Sequence, residues 1–335
     1  MSESALLGRL LAGEDLSRGE VAALFGRIMD GAIPEAMIGA LLAALAAKGE
    51  TAEEIAGAAA AMRERVRVVP HGRSDALDTC GTGGDGKGSF NVSTAAALVA
   101  AAGGAAVAKH GNRAISSRSC SADVLAALGV AIEAGPELSG RQLDEIGIAF
   151  LFAPLHHPAM KAVAPVRRAL GVRTVFNLLG PLTNPAGARR QLLGVYAPER
   201  VEPVARVLAS FGCEHALVVH GDDGLDEITT TTTTRVAEVR DGAVRSFRIA
   251  PEELGVPRAR PQDLLGGSAE ENARTLERLL GGGTGPLADL VAANAGAALY
   301  VAGRAADLRA GIDAARDLLA SGAAAAKLEQ LRSFR

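Results

Sequence analysis

The sequence predicts an α/β protein, with a small N-terminal helical bundle ahead of a larger domain built on a mainly parallel sheet. Three observations predict it. The first 67 or so residues read as helices with repeated start signals. Beyond "VVPHGRSD", short apolar runs alternate with helical stretches, the pattern of parallel strands joined by crossover helices. In "TRVAEVRDGAVRSFRI", Asp241-Gly242 separates two alternating runs, which marks a β-hairpin. The expected boundary is at residues 70/71, and 335 residues suffice for one or two domains with a large core.

The elements follow in order. Ser17 and Glu20 form a capping box ahead of "VAALFGRIM", and Gly31 suits its end. Pro34 suits a first helical position before "AMIGALLAALAA". Thr51 and Glu54 form a second capping box ahead of "IAGAAAAMRERV". The apolar positions of this bundle exceed one buried stripe, so a partner surface is expected. "AAVAKH" ends in a polar loop, and "IGIAFLFAP" reads as a buried strand. The helix "ERVEPVARVLASFG" leads into the strand "EHALVVHG", and the tail from Ser268 is helical. The one low-complexity tract is the threonine run Thr229 to Thr234.

Composition narrows the function. Apolar residues make up 48% of a chain of net charge -3, so a globular fold is expected. Aromatics are 3% and Trp is absent, which argues against stacking platforms for single-stranded nucleic acid. The cations are scattered rather than striped, which argues against duplex binding. Three cysteines with no CxxC pair fit a reduced cytoplasm better than a disulfide framework. The N-terminus lacks a signal-peptide pattern, and "IGALLAALAA" is too short to span a bilayer. A soluble cytoplasmic protein is expected.

Three strand-end loops carry polar chemistry, and in parallel sheets ligands sit beyond the carboxyl ends of strands. In "GTGGDGKGSFNVST", Gly81, Gly83 and Gly84 let the backbone approach a ligand, and successive N–H groups form a nest for phosphate oxygens. Asn91, Ser93 and Thr94 stand at the start of a strong helix former, where free N–H groups attract anions. The spacing matches neither a P-loop nor a dinucleotide fingerprint. "KHGNRAISS" supplies Lys109 and Arg113 as cations, Asn112, Ser116 and Ser117 as neutral donors, and His110 as a proton carrier near neutrality. "GDDGLDE" brings Asp222, Asp223, Asp226 and Glu227 together, and adjacent Asp226-Glu227 suits Mg2+ bridging to substrate phosphates. "LHHPAMKAVAPVRRALG" holds Arg167 and Arg168, either able to clamp a carboxylate, and nothing in it favours zinc. Taken singly, each loop reads equally well as solvated surface.

Taken together, the blocks carry more. Gly81-Thr82-Gly83-Gly84-Asp85, Asn91-Val92-Ser93-Thr94, "KHGNR", "NLLGPLTNPA" from Asn177 and "DGLDE" from Asp223 occur in this order. The chain thereby closely resembles the anthranilate phosphoribosyltransferase family, of the nucleoside phosphorylase/phosphoribosyltransferase type, over nearly its whole length. The resemblance implies a hinged cleft between the two domains, with helices around 160–190 joining the N-terminal bundle in space. It also implies a homodimer through the helical domain. The implied reaction is attack of the anthranilate amine on C1 of phosphoribosyl pyrophosphate (PRPP), in tryptophan biosynthesis.

The resemblance also implies site residues. Gly81, Gly84, Asp85, Ser89, Asn91, Val92, Ser93, Thr94, Lys109 and Ser121 would hold PRPP. His110, Gly111, Asn112, Arg113, Ala114, Ile115, Ser116 and Ser117 would complete its floor. Ser93, Asp226 and Glu227 would bind two Mg2+ ions. Gly81, Asn112 and Arg167 would contact anthranilate, with His110, Pro154, His157 and Met160 lining its channel. Lys109, and His110 as a proton acceptor, are the catalytic candidates. Two departures stand out. Cys120 replaces the family's usual glycine, and the threonine run replaces a Gly-Pro turn, a change expected to loosen the acidic loop. The rival readings are a pyrimidine nucleoside phosphorylase-like enzyme and a non-catalytic nucleic-acid-binding relative.

Overall fold

The computed structural model describes residues 1–83, 86–113 and 119–335. The chain divides into two compact units, Met1–Arg67 with Pro154–Thr183, and Val68–Ala153 with Asn184–Arg335.

The first unit is helical. Its leading helices are α1 (Glu3–Leu11), α2 (Arg18–Met29), α3 (Glu35–Lys48) and α4 (Ala52–Arg63). Both expected capping boxes are present, at Ser17/Glu20 and Thr51/Glu54. Glu54 does more than cap. Its buried carboxylate accepts the Leu16 N–H at 3.0 Å and pairs with Lys48 at 2.9 Å, tying α4 to the α1–α2 connection and to the end of α3. Pro34 is the N-cap of α3 with extended backbone, one position before the expected first turn. The stretch from "LHHPAMK" is no single helix. Pro158 and Pro165 each start a new turn, so it splits into short pieces at Ala153–His156, Pro158–Ala162 and Ala164–Leu170.

The second unit is a seven-stranded sheet. Its strands are β1 (Leu77–Gly81), β2 (Val107–Gly111), β3 (Ile148–Phe152), β4 (Arg190–Gly194), β5 (His215–Gly221), β6 (Thr234–Arg240) and β7 (Ala243–Ile249). Their order is β3-β2-β1-β4-β5-β6-β7. The first five are parallel, and β6 and β7 are antiparallel additions. Asp241 and Gly242 both have positive φ, 51° and 78°, as the tight hairpin turn between β6 and β7 requires. β3 is buried along its whole length, as its unbroken apolar run predicts. The edge strand β7 carries Arg245 and Arg248 and is largely exposed, a charged edge that discourages further pairing. The helices α5 (Val92–Ala102) and α6 (Ser121–Ala127) follow β1 and β2. β1 pairs with β2 on one side and β4 on the other, so the order reverses at β1/β4. A crevice is expected at such a switch point, beyond the carboxyl ends.

Candidate active site

Four strands, β1, β2, β4 and β5, end in glycine, at Gly81, Gly111, Gly194 and Gly221. Two of these make room for one residue, Asp226. A Cβ on Gly81 would lie 2.5 Å from Asp226 Oδ2, and a Cβ on Gly194 would fall onto the Asp226 carbonyl oxygen. Asp226 therefore sits at the β1/β4 switch point, and Asp226 Oδ2 accepts the Gly83 N–H at 2.9 Å. Its neighbour Glu227 accepts the Ser93 N–H at 3.1 Å in the first turn of α5. The acidic loop and both halves of the glycine-rich segment thus meet in one place.

Lys109, on β2, points into the same place. Its ammonium donates to the Thr79 carbonyl at 2.5 Å and to Ser93 Oγ at 3.2 Å. Burial pulls Lys109 below its ordinary value, opposed by the charges of Asp78 and Glu227. Burial likewise pushes Asp78 up, against the N–H that His110 donates to Asp78 Oδ1 at 3.1 Å. Thr94 is buried in α5, and its hydroxyl has no hydrogen-bond partner among the described residues. A buried orphan hydroxyl beside a helix start is a donor awaiting an acceptor.

The remaining floor residues fall nearby. Asn91 is the N-cap of α5. Its Oδ1 accepts from Ser119 Oγ at 3.2 Å and Asn272 Nδ2 at 2.8 Å. Val92 opens α5, and its N–H donates to the Phe90 carbonyl. Ser89 bridges to Leu265. Gly111 ends β2 against Ser121, the first residue of α6. The Asn112 carbonyl accepts the Ala122 N–H, and Arg113 pairs with Asp123 at 3.4 Å. Cys120 is the N-cap of α6, and its N–H donates to Asp123 at 3.0 Å. Gly84, Asp85, Ala114, Ile115, Ser116 and Ser117 lie outside the described residues. The threonine run is not loose. The hydroxyls of Thr229 and Thr231 both bond Asp223.

Pro154, His157, Met160 and Arg167 belong to the helical unit. There the Arg167 guanidinium lies over the Phe176 ring, 5.5 Å from its centroid, and burial alone pulls it below its ordinary value. His157 is buried, and desolvation, aided by the charge of His156, holds it down at about 4. The unfolded chain takes this proton near the usual histidine value, well above the folded chain. Stability is thus expected to fall as pH drops from about 6.5 to 4, by about 3 kcal/mol from this group. His157→Gln should flatten that limb in urea titrations run from pH 7 to pH 4.5. Parallel losses in both proteins would show that other groups carry it.

Several contributors have no sequence signal. Asn272 donates to Asn91 and to Ser119, and Asn184 donates to the Ala108 carbonyl in β2 at 2.8 Å. Asn184 is the exception, since it lies within the block "NLLGPLTNPA", although that block gave it no role; Asn272 is one amide in an otherwise ordinary stretch. Gly194 closes a five-residue strand that no turn motif announces.

The donor set fits Mg2+. Asp226, Glu227 and Ser93 offer hard oxygens, and no group of three or more His, Cys, Asp or Glu able to hold an ion gathers among the described residues. One or two carboxylates completed by substrate phosphates is the usual Mg2+ arrangement.

Residues 4–66 match the helical bundle domain of a glycosyl transferase family, and residues 73–325 match its a/b domain. The chain is 57% identical over 325 residues to the anthranilate phosphoribosyltransferase of Anaeromyxobacter dehalogenans, covering 97% of this chain and 96% of that protein. A crystal structure of the Thermus thermophilus anthranilate phosphoribosyltransferase superposes with a TM-score of 0.93 at 51% identity, over 98% of both chains. The Saccharomyces cerevisiae enzyme in complex with PRPP and Mg gives 0.88 at 28% identity, over 98% of this chain and 96% of that one.

Proposed function

The chain belongs to the anthranilate phosphoribosyltransferase family, and we propose that its strand-end crevice transfers the 5-phosphoribosyl group of PRPP to the amine of anthranilate. The observation that carries this reading is the placement of Asp226-Glu227 at the β1/β4 switch point, bonded to Gly83 and Ser93. The C1–O bond to pyrophosphate breaks and a C1–N bond forms, giving N-(5-phosphoribosyl)anthranilate in tryptophan biosynthesis. Charge accumulates on the leaving pyrophosphate while C1 becomes oxocarbenium-like.

The chain's own groups answer that charge. Backbone N–H groups of the glycine-rich segment and of the α5 start donate to phosphate oxygens. Thr94 Oγ1 is the spare donor for one of them. The Lys109 ammonium is aimed by Thr79 and Ser93 at the same place. Asp226, Glu227 and Ser93 would hold Mg2+, two ions in this reading, which neutralises the departing pyrophosphate when bound. Gly84, Asp85 and the segment Ala114 to Ser117 complete the PRPP site in the proposal, with Ser89, Asn91, Val92 and Ser121 around them. Asn112, Arg167, Pro154, His157 and Met160 are assigned to anthranilate. An aryl amine is nucleophilic without deprotonation, so no strong base is needed, and His110 is assigned as the proton acceptor.

The helical segment 1–70, joined by helices around 160–190, serves as the dimerisation unit, and the rest of 71–335 as the catalytic one. On α3 no charge interrupts Glu35 to Lys48, and Ala36, Met37, Ala40, Ala43 and Ala47 remain wholly or partly exposed, which supports a covering protomer. The enzyme acts in the cytoplasm in this reading. Among the described residues no helix is long and apolar enough to cross a membrane.

Incubation with anthranilate, PRPP and Mg2+ should extinguish anthranilate fluorescence. Phosphorolysis of a pyrimidine nucleoside in its place would reverse the reading. Arg167→Ala should raise the anthranilate Michaelis constant about 30- to 150-fold, a loss of about 2–3 kcal/mol for a charged pair. The PRPP constant should barely move. Equal rises in both would assign Arg167 to the phosphates or to packing.

A further inference from the structure

The carboxylates Asp226 and Glu227 are held by a frame that lies outside the metal site. On the side preceding them, the turn from Gly221 to Leu225 is closed by two backbone bonds, Gly221 N–H to the Leu225 carbonyl at 2.9 Å and Gly224 N–H to the Gly221 carbonyl at 2.8 Å. Asp223 sits in this turn, and its Oδ1 accepts the Leu225 N–H at 3.2 Å. Its Oδ2 accepts two hydroxyls, from Thr229 at 2.5 Å and from Thr231. Thr229 Oγ1 in turn accepts the Thr231 N–H at 3.1 Å, and the Thr229 N–H donates to Thr234 Oγ1 at 3.0 Å. The neighbouring Asp222 is held in the same way, by Thr233 Oγ1 at 2.5 Å and Arg235 at 2.8 Å. On the other side, Ile228 donates to and accepts from the fully buried Asn294, at 3.0 and 2.9 Å.

We propose that Thr229 and Thr231 are positioning residues for the metal site: through Asp223 they fix the turn that delivers Asp226 and Glu227 to the crevice. This rests on the reading of Asp226 and Glu227 as Mg2+ ligands. Asp223 itself is not a ligand here, because both its oxygens are engaged by donors of its own loop. A carboxylate that receives two hydroxyls and an N–H is a rigid joint between the run and the turn. Ligand carboxylates held by such joints lose little freedom when an ion arrives, and outer-shell partners of this kind typically carry 10- to 100-fold in metal affinity. The threonines thus do with side-chain hydroxyls what a stiff turn would do with backbone.

The run contains its own control. Thr230 is buried among these residues, yet its hydroxyl has no hydrogen-bond partner among the described residues. Thr→Val keeps the shape and removes only the hydroxyl. Mn2+ binding, followed by electron paramagnetic resonance in the presence of PRPP, should weaken about tenfold or more in Thr229→Val/Thr231→Val. The Mg2+ concentration for half-maximal turnover should rise in step, with kcat recovering at saturating Mg2+. The double Thr→Ser variant, which keeps both hydroxyls, and Thr230→Val should each match the parent. Should the double Val variant fail to fold, Thr231→Val alone, at a partly exposed position, should show the same weakening at about threefold. Unchanged Mn2+ affinity in the Val variants, or equal weakening in Thr230→Val, overturns the proposal. Asp226→Asn/Glu227→Gln separates the two levels. If that variant still binds Mn2+, the metal reading itself fails. If it loses the ion while the Val variants keep it, only the threonine proposal fails.

Discussion

Asp226→Asn/Glu227→Gln is expected to lower turnover by about 10^3 or more, since losing a single preorganised charge-stabilising group already costs about 10^2–10^3. The structure explains why this loss should come without unfolding. Asp226 Oδ2 accepts the Gly83 N–H, and Glu227 Oε1 accepts the Ser93 N–H. An amide oxygen in the same position accepts the same bonds, so the loop keeps its anchors and loses only its charge. Fluorescence assays over a Mg2+ series, with thermal unfolding alongside, test both halves. Full activity in the variant, or activity of the parent in excess chelator, would remove the carboxylates from the mechanism.

Gly194→Ala should be almost as damaging, and for a different reason. The added methyl would fall on the carbonyl oxygen of Asp226 and crowd its carbonyl carbon, both backbone atoms that cannot rotate aside. Gly194 is also the last residue of β4, paired with Gly81 and Val219, and its carbonyl accepts the Thr82 N–H at 2.8 Å. Either the strand end or the Asp226-Glu227 loop must shift. Overpacking of this kind costs about 1–3 kcal/mol or more. A lower unfolding midpoint and loss of Mg2+-dependent turnover should appear together. Gly81→Ala makes the comparison, because its methyl would clash with the Asp226 carboxylate, 2.5 Å from Oδ2, and meet the Asp226 carbonyl oxygen only in ordinary contact at 3.6 Å. That carboxylate can turn away, so Gly81→Ala should keep its stability and lose metal response. A Gly194→Ala enzyme with normal stability and turnover would show that the carboxylate loop is free to move.

Much of the site was legible because its chemistry is local. A phosphate nest needs glycines and hydroxyls within a few residues of one another, and "GTGGDGKGSFNVST" carries both before a helix. The capping boxes at Ser17 and Thr51 were legible for the same reason, as both partners lie within one turn. The threonine run was misjudged. Replacement of the Gly-Pro turn that the resemblance leads one to expect suggested slack, whereas the hydroxyls of Thr229, Thr231 and Thr233 are spent on Asp223 and Asp222. Propensity reports what a side chain prefers, not which acceptor the fold will bring to it. Asn272 and Asn294 were invisible on similar grounds. Each is a lone amide whose partners, Asn91 and Ile228, come from distant parts of the chain.

The sequence by itself determined the α/β class, the capped helices, the hairpin at Asp241-Gly242 and the polar loops at the strand ends. These follow from preferences that act over a turn or a strand. Only the tertiary structure decided where the loops converge. The order β3-β2-β1-β4-β5 places the reversal beside Gly81 and Gly194, and Asp226 fits there because neither position has a side chain. Gly83 and Asp226 meet across 143 residues. No local preference reaches that far. Their contact exists because burying the apolar strands in one register leaves a single arrangement of strand ends, and that arrangement sets Asp226 against Gly81 and Gly194.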